Sequence, residues 1–164
     1  MADEPLSSWA ASLRTTLEAL GVDYEQVDAG ACLVPLRGEH KLVTNAMLTV
    51  GDGALVVEAF FMRRPDDNVD EVHALLLRRN LRLFGVHFAL DTLGDIYLIG
   101  RLPLVAINAA DLDTVLGAVL TAADECFNPA IAMGFSAAIR AERAWRDKNG
   151  LDDANLEPFR RPAD

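Results

Sequence analysis

Apolar residues at Leu6, Trp9, Leu13, Leu17 and Leu20 recur in steps of three and four. That spacing holds one stripe of a 3.6-residue helix against a core, and Gly21 follows where helices turn into left-handed backbone, so the pattern predicts a helix over Leu6–Leu20. Three apolar runs come next: "ACLVPL", "KLVTNAMLTV" and "ALVVEAFFM". The last two flank Gly51-Asp52-Gly53, whose glycines supply positive-φ positions, and so 41–50 and Ala54–Met62 read as an antiparallel hairpin. Alternation along Ala54–Met62 puts Leu55, Val57, Ala59 and Phe61 on one face and Val56, Glu58, Phe60 and Met62 on the other, leaving both faces mostly apolar. Pro35 has no N–H for a ladder, which places "ACLVPL" at a sheet edge or a bulge.

"RRPDDN" interrupts this β pattern, and a second helix is expected over 69–83, capped by Asn68 or Asp67 with Glu71 at the capping-box spacing. Its buried stripe is Val69, Val72, Leu76 and Leu83, and Asn80 falls on the same stripe. A buried amide is costly unless matched, so Asn80 is expected to act as a structural pin bonded to neighbouring backbone. Gly85 ends the helix, and 86–91 with 96–104 form a second hairpin around "TLGD". Asp111 is the expected cap of a third helix. Asn128-Pro129 resembles a fresh helix start, which predicts a break or sharp kink before a last helix reaching about Trp145. The result is one α+β domain over 1–146, and a flexible tail over 147–164 with little to bury.

At 164 residues the chain has the length of one ordinary domain, and 51% hydrophobic with 24% charged residues describes a globular protein. Its apolar runs break before the ~18 residues that a membrane span needs, and "MADEPLSSW" has acids where an export signal has basic residues. Together these point to the cytoplasm and away from membranes. A net charge of −10 disfavours nucleic acid unless the arginines gather on one face. Arg63, Arg64, Arg78, Arg79 and Arg82 do partly gather, yet without the interleaved aromatic residues of a base-stacking platform.

Candidate chemistry is sparse. His40, His73, His87 and Cys32 lack the i, i+3 or i, i+4 pairing that pre-organises a metal site, and no phosphate-binding or nucleophile motif is present. Cys32 and Cys126 are expected to be small buried hydrophobes. Glu58 is the carboxylate to watch: burial would raise its pKa, and an arginine partner is the simpler expectation. No cofactor and no catalytic residue is assigned.

The segment "LLLRRNLRLFGVHFALDTLGDIYLIGRLPL" resembles the central signature of bacterial YbjN-domain proteins: a helix ending near an asparagine, a strand, a turn and a strand closing on a Leu-Pro step. The similarity covers 6 to about 127. It departs in the turn, "DTLGD" in place of a run of acids, and in a longer helical extension after Pro129. That family is similar in fold to type III secretion chaperones, small acidic dimers that hold an unfolded segment of a partner. The elements read from the residues run α-β-β-β-α-β-β-α with an extra C-terminal helix, and the resemblance implies for them a secretion-chaperone-like α+β fold with an antiparallel curved sheet, and a binding habit in place of an activity.

The expected function is a non-enzymatic protein-binding module, chaperone-like or regulatory, acting as a homodimer. A scaffolding subunit of a larger complex and a small-molecule sensor or enzyme using the concave sheet stay open beside it. Pairing is expected through helix 69–83 and strand 86–91, because the sheet is more apolar than three helices can cover. The candidate partner contacts are Arg78, Arg82 and Arg79 at the helix end, with Phe60 and Met62 on the second strand face, gripping an acidic or unfolded segment.

Overall fold

The computed structural model describes residues 5–51 and 53–159. Helix α1 (Leu6–Leu20) buries Ala10, Leu13 and Leu17. It ends at Gly21, φ 67°, where the Gly21 N–H bonds the Glu18 carbonyl and the Val22 N–H bonds that of Leu17, a Schellman closure. A two-residue strand β1 (Glu25–Gln26) follows, then β2 (Ala31–Arg37), β3 (Val43–Gly51) and β4 (Ala54–Met62). Gly53 has φ 74°, as a turn glycine should, and Asp52 lies outside the described residues. Helix α2 (Val69–Asn80), strands β5 (His87–Leu90) and β6 (Ile96–Pro103), and helices α3 (Ala109–Gly134) and α4 (Ser136–Lys148) complete the chain, with short 3-10 turns at Leu104–Ala106 and Ala154–Phe159.

All strand pairs are antiparallel, in the order β1-β2-β3-β4-β6-β5. With β1 set aside, this is the expected α-β-β-β-α-β-β-α order with α4 as the extra helix. The inward face carries Leu48, Leu55, Val57, Phe61 and Leu98, all buried against α1, α2 and α3. The opposite face, with Val43, Glu58 and Phe60, stays exposed. Pro35 sits where the edge rule wants it. The Val27 N–H reaches the Ala31 carbonyl across the outer side of β2, so odd-numbered residues there turn their backbone outward, and β1 covers only Cys32 and Leu33. The missing donor of Pro35 thus faces the open edge.

Four expectations change at the ends of elements. On β4 the register shifts between Phe60 and Met62, so Phe61 and Met62 both turn inward and Met62 is 3% exposed, not on the outer face. Burying two large side chains at about 1.5–3 kcal/mol each outweighs about 1 kcal/mol for a disturbed ladder bond. Helix α2 stops at Asn80: Leu81, Arg82 and Leu83 donate to carbonyls three residues back, a tightened turn in place of further α-helix. "RRPDDN" does not cap α2, since Asn68 is left-handed (φ 47°) and makes no cap bond there. It clasps the α3–α4 corner instead. The Asn68 amide donates to the Met133 carbonyl, the Asp66 and Asp67 N–H groups to that of Gly134, and the Asp67 carboxylate accepts from the Ala137 N–H and the Ser136 hydroxyl. The cap of α3 is Asn108, bonded to the Asp111 N–H, while the Asp111 carboxylate accepts from the Asn108 amide.

Helix α3 continues as one element through Asn128-Pro129, where a break or sharp kink was expected. Its buried stripe continues across the proline, through Ala122, Cys126 and Ala130, and Pro129 itself is exposed, so only the Glu125 carbonyl loses its donor. The chain turns instead at Phe135 (φ −133°, ψ 30°). Helix α3 is long and apolar enough to cross a membrane by length and composition alone, but Leu112, Val115, Val119, Ala122 and Ala123 are its contribution to the core. The tail is not free through Phe159. Arg143 donates to the Leu156 carbonyl and Arg146 to the Asp152 carbonyl, folding the segment back along α4; residues 160–164 lie outside the described residues.

Candidate protein-interaction surface

The C-terminal half of α2, the turn after it and the hairpin β5–β6 carry a set of exposed large apolar side chains. Val72 and Leu76 face the core, which turns Leu77 outward one residue on. The tightened turn then brings out Leu81, 87% exposed, and Phe84, 60% exposed, and the hairpin adds Leu90 and Leu93. Between helix and strand lies a hollow of about 100 Å³ lined by His73, Leu76, Leu77, Phe88, Ala89, Leu90 and Ile96. Exposed leucines on a helix beside an unpaired sheet edge are costly in water and mark a surface that something covers.

Asn80 holds the two elements together. Its amide nitrogen donates to the Phe88 carbonyl (3.2 Å) and its oxygen accepts from the Phe88 N–H (2.8 Å). The side chain so occupies the outward backbone groups of edge strand β5, as a neighbouring strand would. Leu77 is thereby held beside Leu90.

The three arginines separate. Arg79 turns back onto α3 and forms an ion pair with Glu125 at 2.6 Å. Arg78 and Arg82 are exposed and, among the described residues, make no ion pair. Arg78 lies in the last turn of α2, where the helix dipole favours a cation. Phe60, 46% exposed, projects from the opposite face of the sheet and packs edge-on to Tyr97 (5.4 Å, 75°). The five expected contacts are thus not one site: Arg78 and Arg82 stand by the leucines, Phe60 is on another face, and Arg79 and Met62 are committed elsewhere.

The remaining polar candidates do not assemble. His40 Nδ1 lies 3.0 Å from the Asp124 carboxylate, His73 lines the small hollow and His87 is exposed on β5. Among the described residues no three His, Cys, Asp or Glu side chains are placed to hold a metal. Glu58 is exposed and, among the described residues, makes no ion pair with an arginine; it lines a hollow with Asp91 and Tyr97. Cys32 and Cys126 are both buried free thiols, and burial pushes each thiol pKa up.

Two features escaped sequence reasoning. The exposed Leu81 and Phe84 fit no period, because they arise where α2 gives way to turns, and Leu77 and Leu93 lie off the buried stripes of α2 and the hairpin. A second groove joins Lys41, Met62, Phe127 and Phe135, which only the packing of α3 against β4 brings together.

Solved structures with this fold include the Yersinia pestis type III secretion chaperone SycH in complex with a stable fragment of YscM2 (TM-score 0.51, 20% identity, 70% of this chain and 96% of that one). Another is a chain of the heterodimeric ExoU–SpcU complex from the type III secretion system of Pseudomonas aeruginosa (TM-score 0.52, 15% identity, 71% and 94%). At such identities the likeness is one of fold, and it bears out the chaperone-like α+β architecture. Closer in sequence are the uncharacterized proteins Rv0487 of Mycobacterium tuberculosis, 46% identical over 129 residues (79% of this chain, 70% of that one), and ML2442 of Mycobacterium leprae, 44% identical over 127 residues (77% and 69%). The family model for YbjN, described as "Putative bacterial sensory transduction regulator", matches residues 10–132, from α1 to the last turn of α3, and the chain belongs to the YbjN family.

Proposed function

We propose that this chain is a cytoplasmic, non-enzymatic protein-binding module, chaperone-like or regulatory, which works as a homodimer joined through α2 and β5. The observation that carries the proposal is the set of exposed Leu77, Leu81, Phe84, Leu90 and Leu93 on α2, the β5–β6 hairpin and the turn between them, which Asn80 pins together. Each such side chain gains about 1.5–3 kcal/mol when fully buried, and a two-fold axis through the corner would bury two copies of the set. The two chaperones of like fold were solved with protein partners, YscM2 and ExoU, which supports a binding role over catalysis. Arg78 and Arg82, at the margin of the same corner, are the contacts proposed for an acidic or unfolded partner segment.

The test is mass. Light scattering at micromolar concentration should give about twice 17.8 kDa for the wild type, and about the single-chain mass for Leu81→Asp/Phe84→Ser with an unchanged circular dichroism spectrum. A wild-type monomer overturns the dimer.

A further inference from the structure

Where β4 ends, the chain builds a second groove that the α2–β5 corner does not use. It has a volume of about 480 Å³, is open to solvent, and is lined by Lys41, Phe60 to Arg63, Phe127, Ile131, Phe135 and Ala138. The walls are rings and aliphatic side chains: Phe61 and Phe127 pack edge-on at 6.3 Å. The bulge that drew Met62 inward makes it part of this lining.

Both charged residues that line the groove are cations, although the chain has 25 acids against 15 basic residues. They are not equivalent. The Arg63 guanidinium stacks 4.2 Å from the Phe135 ring and is neutralised by a two-pronged bond to Asp66 (2.8 and 2.7 Å). Lys41 has no carboxylate within ion-pair distance among the described residues. Its ammonium rests 5.5 Å from the Phe127 centroid and reaches one polar neighbour, the Val43 carbonyl, at a long 3.4 Å. Burial pushes its pKa below the usual lysine range, the mark of a cation taken from water without an anion in return. The Asp124 carboxylate is taken up by the Lys41 and His40 N–H groups and the His40 ring. A half-buried, unpaired ammonium over an aromatic wall is complementary to one chemistry: a carboxylate attached to an apolar body.

We propose that this groove docks a segment of a partner protein in which an aspartate or glutamate lies beside large apolar side chains, the carboxylate pairing with Lys41 and the apolar residues lying on Phe60, Phe127 and Ile131. The proposal deepens the protein-binding reading and rests on it, but it uses a surface separate from the dimer corner. A groove without a roof fits a chain segment better than a small carboxylate, which would need enclosure to be held by so few polar groups. Lys41 supplies specificity, and the rings supply area.

The probe is a fluorescein-labelled peptide, Leu-Asp-Phe-Leu-Glu-Leu, compared with its Asn/Gln counterpart by anisotropy on the full-length protein. The acidic peptide should bind about tenfold more tightly, as one charge-assisted contact gives. Lys41→Met should abolish that preference and Lys41→Arg should keep most of it. Ala138→Glu, at an exposed position on α4, should block both peptides while the dimer mass stays unchanged. Equal binding of the two peptides, a preference that survives Lys41→Met, or binding of octanoate by calorimetry with no binding of either peptide would each overturn the proposal. An intact dimer in those cases leaves the α2–β5 reading standing, and a monomer that still discriminates through Lys41 separates the two the other way.

Discussion

At the scale of single residues, two side chains hold backbone that no regular ladder reaches. Asn80 satisfies one donor and one acceptor of Phe88 at once, so Asn80→Ala leaves both groups of a buried residue unmatched. A loss of about 1–3 kcal/mol is expected in urea unfolding, and Asn80→Asp should not rescue it, because a carboxylate would face the Phe88 carbonyl. Asp124 does the same for the β2–β3 loop. Burial works to raise its carboxyl pKa, but the Lys41 and His40 N–H groups and the His40 ring outweigh it and hold the carboxyl below the usual range. A depressed folded-state pKa contributes stability above the unfolded value of about 4, lost as pH falls through the folded one. The stability gap between wild type and Asp124→Asn should therefore be open at pH 7 and shrink below about pH 4. Gly38 belongs to this clasp: a Cβ there would press on the Asp124 carboxylate and come within 2.6 Å of the Lys41 carbonyl.

Among the elements, α3 shows packing prevailing over local preference. Proline in a helix interior costs about 3 kcal/mol, yet the apolar stripe on both sides of Pro129 keeps the helix whole. Pro129→Ala would restore a donor to the Glu125 carbonyl at an exposed position. It should raise stability by about 1–2 kcal/mol, less than the full proline cost because the unfolded chain gains freedom as well. A rise in Tm checks it; a fall would mean that the helix is bent to fit at this point.

For the whole molecule, the charge of −10 sets the background against which Arg78 and Arg82 act. Each exposed contact contributes only about 0.2–1 kcal/mol, and salt above about 0.3 M screens it. Binding of a labelled hexaglutamate peptide at low salt should weaken several-fold in Arg78→Glu/Arg82→Glu, and the two proteins should converge at high salt. Equal binding at low salt, with the dimer mass intact, would leave these arginines as a solvated face.

Periodicity by itself determined what depends on neighbours along the chain: the span of α1, the β3–β4 hairpin, the start of α2 and the edge placement of Pro35. Each follows from side-chain spacing or from a backbone rule that a single residue enforces. Tertiary structure decided what depends on competition between distant segments. The bulge at Phe60–Met62 was settled by the space beneath β4, the continuity of α3 by its stripe on the sheet, and the end of α2 by the bond from Asn80 to Phe88. The same holds for the surfaces. Arg78, Arg79 and Arg82 look alike in sequence, and only Glu125, forty-six positions beyond Arg79, removes one of them. Lys41 and Phe127 gain meaning together because burial of α3 against β3 and β4 places a cation over a ring, a juxtaposition that no spacing along the chain encodes.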